Sequence, residues 1–123
     1  MKTSCGSQVL SNVQGLEVVD SAVLSVGASG VQCPTGTNVS DVLINNTLVN
    51  DTALVILGQP GGIRVKGQSN MTVTHNTVGF NPYAGIMIGW QHITGETQKT
   101  TIFDIGYNHV HDFGLGILSD FGG

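Results

Sequence analysis

The chain has 123 residues, enough for one domain and too few for two. Four basic residues stand against eight acidic ones, a net charge of −4, which excludes the basic patch that nucleic-acid binding demands. No stretch reaches the roughly 18 apolar residues of a membrane-spanning helix, and plentiful Val and Ile without long charged runs exclude a disordered chain.

Residues 1–8 carry one basic side chain, Lys2, and no apolar run follows, so no signal peptide is expected within this chain. From there on, short Val/Ile/Leu/Thr runs bounded by Gly, Asn, Asp and Pro predict strands at 16–19, 39–44, 53–57, 63–66, 71–74, 85–88, 101–105 and 115–119. Helical periodicity is missing, and 18 glycines break most helical windows. The polar stretch 94–100 reads as a projecting loop and 58–62 as a tight turn.

The strongest signal is internal repetition. Asn108, with His109-Val110 and then Gly116-Ile117, repeats Asn76-Thr77-Val78 with Gly85-Ile86. Earlier copies are Asn46-Thr47-Leu48 with Leu54-Val55-Ile56, and Ser21-Ala22-Val23 with Gly30-Val31. The four starting positions are 25, 30 and 32 residues apart. Two-residue hairpin turns of the Asn-Gly or Asp-Gly kind do not occur, which disfavours a sandwich. Repeats of this length predict an all-β parallel β-helix of about four rungs, each paired with its neighbour about 4.8 Å away. The single domain spans residues 1–123. With no cap at either end it reads as an incomplete solenoid, part of a longer chain or one that self-associates through its open ends.

In this alignment Val31, Val55, Ile86 and Ile117 stack inward, and so do Cys33, Leu57, Ile88 and Ser119 two positions on. Asn46, Asn76 and Asn108 fall at a bend and form a structural Asn ladder. The column Pro34, Gly58, Gly89, Asp120 faces out, so the carboxylate of Asp120 meets a glycine notch on the preceding rung. Beside it run Thr35, Gln59, Trp90 and Phe121. Those two aromatics either hold a sugar face next to Asp120 or, by strict alternation, stack inside. Asp120 itself is a candidate catalytic acid or an Asx-turn residue before Gly122-Gly123.

His92 lies nearest the notch as a polar or acid–base group, and His109 and His111 share one face, with His75 able to approach from the preceding rung. No HExxH or CxxC occurs, so neither a metal nor any other cofactor is expected. Glycoside hydrolysis needs two carboxylates, about 5–5.5 Å apart for retention or about 6.5–9.5 Å for inversion. Glu96 and Asp112 are the candidate partners of Asp120. A lyase would need cations, and the low basic content counts against it. Cys5 and Cys33, 28 residues apart, fit either a disulfide between stacked positions or two interior thiols. Sequons at Asn38, Asn45, Asn50 and Asn70 fit a glycosylated surface or the Asn/Ser/Thr content alone.

The stretch Gly85-Ile86-Met87-Ile88-Gly89-Trp90, taken with Tyr107-Asn108-His109-Val110-His111-Asp112 and Leu118-Ser119-Asp120-Phe121-Gly122-Gly123, resembles the right-handed parallel β-helix repeat family. Within it the chain is most similar to carbohydrate-active members, the fucosidase- and xylanase-like glycoside hydrolases, over roughly residues 38–123. The resemblance implies a polysaccharide or oligosaccharide partner, Asp120 as catalytic residue, Trp90, His92 and Phe121 at the sugar, and a secreted or cell-surface full-length protein. A non-catalytic carbohydrate-binding or surface structural β-helix, and a polysaccharide lyase, are the alternatives.

Overall fold

A computed structural model describes residues 7–8, 13–33, 39–52, 61–65, 69–88 and 101–114. Among these residues all regular structure is β and every paired strand is parallel. In chain order the strands are β1 (Ser7–Gln8), β2 (Val13–Gln14), β3 (Glu17–Val19), β4 (Ala22–Leu24), β5 (Val31–Cys33), β6 (Val39–Asn45) and β7 (Leu48–Asn50). Then come β8 (Ile63–Val65), β9 (Ser69–Thr74), β10 (Thr77–Gly79), β11 (Ile86–Ile88), β12 (Thr101–Gly106) and β13 (His109–Val110).

These strands form three sheets. The first runs β1-β5-β8-β11 and the second β2-β6-β9-β12, with β3 also on β6; the third runs β4-β7-β10-β13. Within each, a strand pairs with its counterpart one repeat away, as Val49 lies opposite Val23 and Val78, and Val78 opposite Val110. The expected all-β architecture and parallel pairing are therefore met.

The three sheets share one core. Val31, Ile63 and Val65 come from the first sheet, Val42, Ile44, Met71 and Val73 from the second, and Val49 and Val78 from the third. Alternation along each strand sends these residues inward and Arg64, Leu43 and Thr77 outward, the period-two rule at work. Such short strands could not hold together alone. Burying stacked apolar columns, two from the second sheet (Val42–Met71 and Ile44–Val73), stabilises the stack by about 25 cal/mol per Å² removed from water.

Two expectations about register are corrected. Val31 pairs with Ile63 and Ile63 with Ile86, so Ile63, not Val55, occupies that inward column. The reason is steric. Gly30, Gly62 and Gly85 precede these three residues and lie against Val49, Val78 and Val110. A Cβ at Gly30 would stand 2.7 Å from the Gly62 carbonyl oxygen, and one at Gly62 would stand 2.8 Å from that of Gly85. Leu54, the residue before Val55, cannot meet that demand. The second correction concerns Asn46. Thr47 lies opposite Asn76, and Asn46 falls one position earlier. The strands expected at 53–57 and 115–119 lie outside the described residues. Seven short strands outside the predicted runs (β1, β2, β4, β5, β7, β10 and β13) hold only two or three residues each, too few to show alternation.

Candidate functional site

Twelve residues with left-handed φ fall into three stacked columns that turn the chain. They are Gly15, Asp41, Asn70 and Ile102; Asp20, Asn46, His75 and Tyr107; and Ser25, Asp51, Phe80 and Asp112. Backbone pairing continues through the bends: Asp20 N–H donates to Asn45 O, Asn46 N–H to Thr74 O and His75 N–H to Gly106 O, at 3.2–3.3 Å. Asn and Asp suit this conformation because a short polar side chain tolerates left-handed φ. His75 also fits it, whereas Phe80, Ile102 and Tyr107 do not, and all three are exposed.

Directly after the second column comes a buried polar one: Thr47, Asn76 and Asn108. Asn76 Oδ1 accepts from Thr47 N–H at 3.0 Å, and Asn108 Oδ1 accepts from Asn76 N–H at 3.0 Å. Each side chain also donates to the preceding repeat, Thr47 Oγ1 to Val18 O, Asn76 Nδ2 to Ile44 O and Asn108 Nδ2 to Val73 O. Asn76 and Asn108 thus meet as expected of a ladder, while Asn46 turns outward and donates to Asp20 Oδ1 at 2.7 Å. Left-handed φ at Asn46 aims its Cβ away from the interior, which is why Thr47 completes the ladder instead.

The outward side of this bend forms an open groove of mixed polar and apolar walls. It measures about 490 Å³ and is lined by Asp20, Ser21, Asn46, Leu48, His75 and Thr77 among others. Along it run a carboxylate bonded to an amide (Asp20 and Asn46), then the imidazole of His75, whose ring stacks on Tyr107 with centroids 5.0 Å apart and planes 12° from parallel. Tyr107 is 85% exposed, an unusual position for a phenol with left-handed φ. Amide, carboxylate and flat ring together can hydrogen-bond vicinal hydroxyls and carry an apolar sugar face. Its lining holds the Asp20 carboxylate and no Lys or Arg to grip a polyanion.

On the first column Asp41 accepts from Asn70 Nδ2 at 3.0 Å, and from Gln14 Nε2 and Ser40 Oγ at 3.3 Å. These donors, Asn70 foremost, hold its carboxyl below the ordinary carboxylate range. The sequon residue Asn45 spends its amide on Thr74 O and Thr74 Oγ1, at 3.1 and 2.8 Å.

Asp120, Trp90, His92 and Phe121, with Glu96, Lys66 and Cys5, lie outside the described residues, as does the Cys33 side chain. Asp112, the other candidate second carboxylate, contacts His111 Nδ1 at 2.9 Å. His75 is drawn to Tyr107, and among the described residues no three His, Cys, Asp or Glu side chains form a ready-made metal cage. The groove escaped sequence reasoning because its residues have no common type. The available signal was position, since Asn46 and His75 each stand immediately before a ladder residue. Comparison with protein-family models, with curated proteins and with solved structures found no match.

Proposed function

We propose that the three sheets are the faces of one right-handed parallel β-helix, and that the chain is the glycan-engaging part of a carbohydrate-active protein. Parallel neighbours one repeat apart and a core shared by all three sheets support the coil. Right-handedness follows from the general rule for crossovers between parallel strands. The observation that carries the glycan reading is the groove that holds the Asp20–Asn46 hydrogen bond and the His75 imidazole, with the exposed Tyr107 ring stacked on His75 one repeat further on. Left-handed φ at the bulky exposed ring of Tyr107 is strain of the kind that gathers at binding sites. The ligand is a neutral oligosaccharide, and the reaction is hydrolysis of its glycosidic bonds with Asp120 as acid/base or nucleophile and Trp90, His92 and Phe121 around the sugar.

Calorimetric titration with neutral oligosaccharides of increasing length tests the binding. Affinity should rise with length, and Tyr107→Ala should lower it about tenfold, the worth of one lost ring contact. Release of reducing ends from the same sugars tests the reaction, with Asp120→Asn expected to lower the rate about 100-fold or more. A chain that binds none of these sugars removes the glycan reading. Full activity in Asp120→Asn removes the assigned catalytic role alone.

A further inference from the structure

The structure treats the Asn-x-Ser/Thr sequons unequally. A glycosyl transferase reads the asparagine amide together with the hydroxyl two residues on, and the finished fold must leave room for a bulky sugar. Asn38 lies outside the described residues. At Asn45 the amide nitrogen donates to Thr74 O and Thr74 Oγ1 on the next repeat. The Thr47 hydroxyl of that sequon is buried and donates to Val18 O and Asn45 O. A sugar on Asn45 would therefore push the neighbouring repeat away. At Asn50 the sequon hydroxyl belongs to Thr52, which is buried and donates to Asn81 Oδ1. Both sequons are taken up by contacts between repeats.

Asn70 differs on each count. Met71 is buried in the core, so Asn70 and Thr72, on either side of it, both stand on the outer face of the second sheet. Asn70 is exposed and Thr72 half-buried. The Asn70 amide nitrogen donates to Asp41 Oδ1 at 3.0 Å across the surface, and a glycosylated amide keeps one N–H for that bond. Beside it lies an open groove of about 430 Å³, lined by Asp41, Leu43, Thr72, Ile102 and Asp104 among others. Ile102, one repeat beyond Asn70 in the same column of bends, is 77% exposed and offers the first sugar an apolar surface.

From this arrangement we propose that Asn70 is the N-glycosylation site of this chain, in a protein that is secreted or displayed at the cell surface. The donor is an oligosaccharide carried on a lipid diphosphate. The Asn70 side-chain nitrogen bonds to the anomeric carbon of the first sugar, and the bond from that carbon to the diphosphate oxygen breaks. The lipid diphosphate leaves, and the amide proton passes to a base of the transferase. The attached glycan covers Ile102 and the outer face of the second sheet. This site is separate from the Asp20–Tyr107 groove, and neither depends on the other.

The test is secretion of the chain, behind a cleavable signal, from a eukaryotic host that glycosylates sequons. Enzymatic removal of N-glycans in heavy-oxygen water converts each occupied Asn into a mass-labelled Asp, which peptide mapping locates. The secreted chain should carry the label at Asn70, with little or none at Asn45 and Asn50. Asn70→Gln should lose that glycan. Thr72→Ala should lose it too while keeping the Asn70 bond to Asp41, and Thr72→Ser should retain it. The Thr72 pair separates loss of the acceptor signal from damage to the fold. An unlabelled Asn70 in the secreted chain overturns the proposal. So does labelling at Asn45 or Asn50 that equals or exceeds that at Asn70, which would show that burial between repeats does not select the site.

Discussion

Positions 30, 62 and 85 are glycine for want of room, whereas positions 20, 46, 75 and 107 turn the chain with side chains attached. At the first set φ is ordinary, and what forbids a Cβ is a valine of the third sheet, joined at Gly30 and Gly62 by a carbonyl of the next repeat. At the second set φ is left-handed, yet the residues are Asp, Asn, His and Tyr. Glycine in this molecule therefore marks crowding more than turning. Crowded bends have no freedom to vary, while the left-handed bends keep an outward side chain that can be exchanged. The candidate groove lies along one of the latter.

Substituting each kind of bend sharpens the contrast. Gly62→Ala should cost the most, about 3 kcal/mol, because the new methyl meets Val78 and the Gly85 carbonyl in a packed interior. Chemical denaturation would measure it, and adding Val78→Ala should shrink the increment without abolishing it, since the carbonyl contact remains. A cost below about 0.5 kcal/mol, the range of inert surface changes, would show that the glycine column is not crowded.

A smaller effect of opposite sign is expected at the other bend. Tyr107→Asn relieves left-handed strain of about 1 kcal/mol and loses a ring stack worth about 0.5, for a net gain of about 0.5 kcal/mol. The same variant should lose oligosaccharide affinity. A fall in both stability and affinity would make Tyr107 a structural residue.

The smallest effect concerns Asp41. Its carboxyl is held low by Asn70, then Gln14 and Ser40, so the folded state binds a proton less readily than the unfolded one. That contribution is present above the ordinary carboxylate value, about pH 4, and is lost as pH falls through the lower folded value. Asp41→Asn should slightly lower stability at neutral pH and leave it unchanged below the folded value, so that the acid side of a thermal-unfolding profile flattens. An unaltered acid limb would mean that these exposed hydrogen bonds do not persist in solution.

Much of the fold is legible in the sequence because its inward columns repeat. Glycine followed by Val or Ile at 30–31, 62–63 and 85–86 marks the first sheet, and Asn76 and Asn108 mark the start of the third. The misreadings arise where two candidates compete. Asn45-Asn46 offers a doublet of asparagines, but Thr47 takes the inward place. Leu54-Val55-Ile56 is as apolar as Gly62-Ile63-Arg64, and only the steric need for glycine separates them. The groove and the His111–Asp112 pair depend on side-chain direction at left-handed bends, which linear alternation does not describe.

The links between second-sheet and third-sheet strands all have one length, two residues: Asp20-Ser21, Asn46-Thr47, His75-Asn76 and Tyr107-Asn108. Links from the third sheet to the first vary, with residues 51–62 between β7 and β8 against 80–85 between β10 and β11. The pairing of Ile63 with both Val31 and Ile86 is untouched by that difference. One corner thus resets the phase of every repeat, and another absorbs changes in length. For a lineage of such chains, insertions can accumulate at the permissive corner as raw material for new recognition loops, while the fixed corner keeps the rest in step.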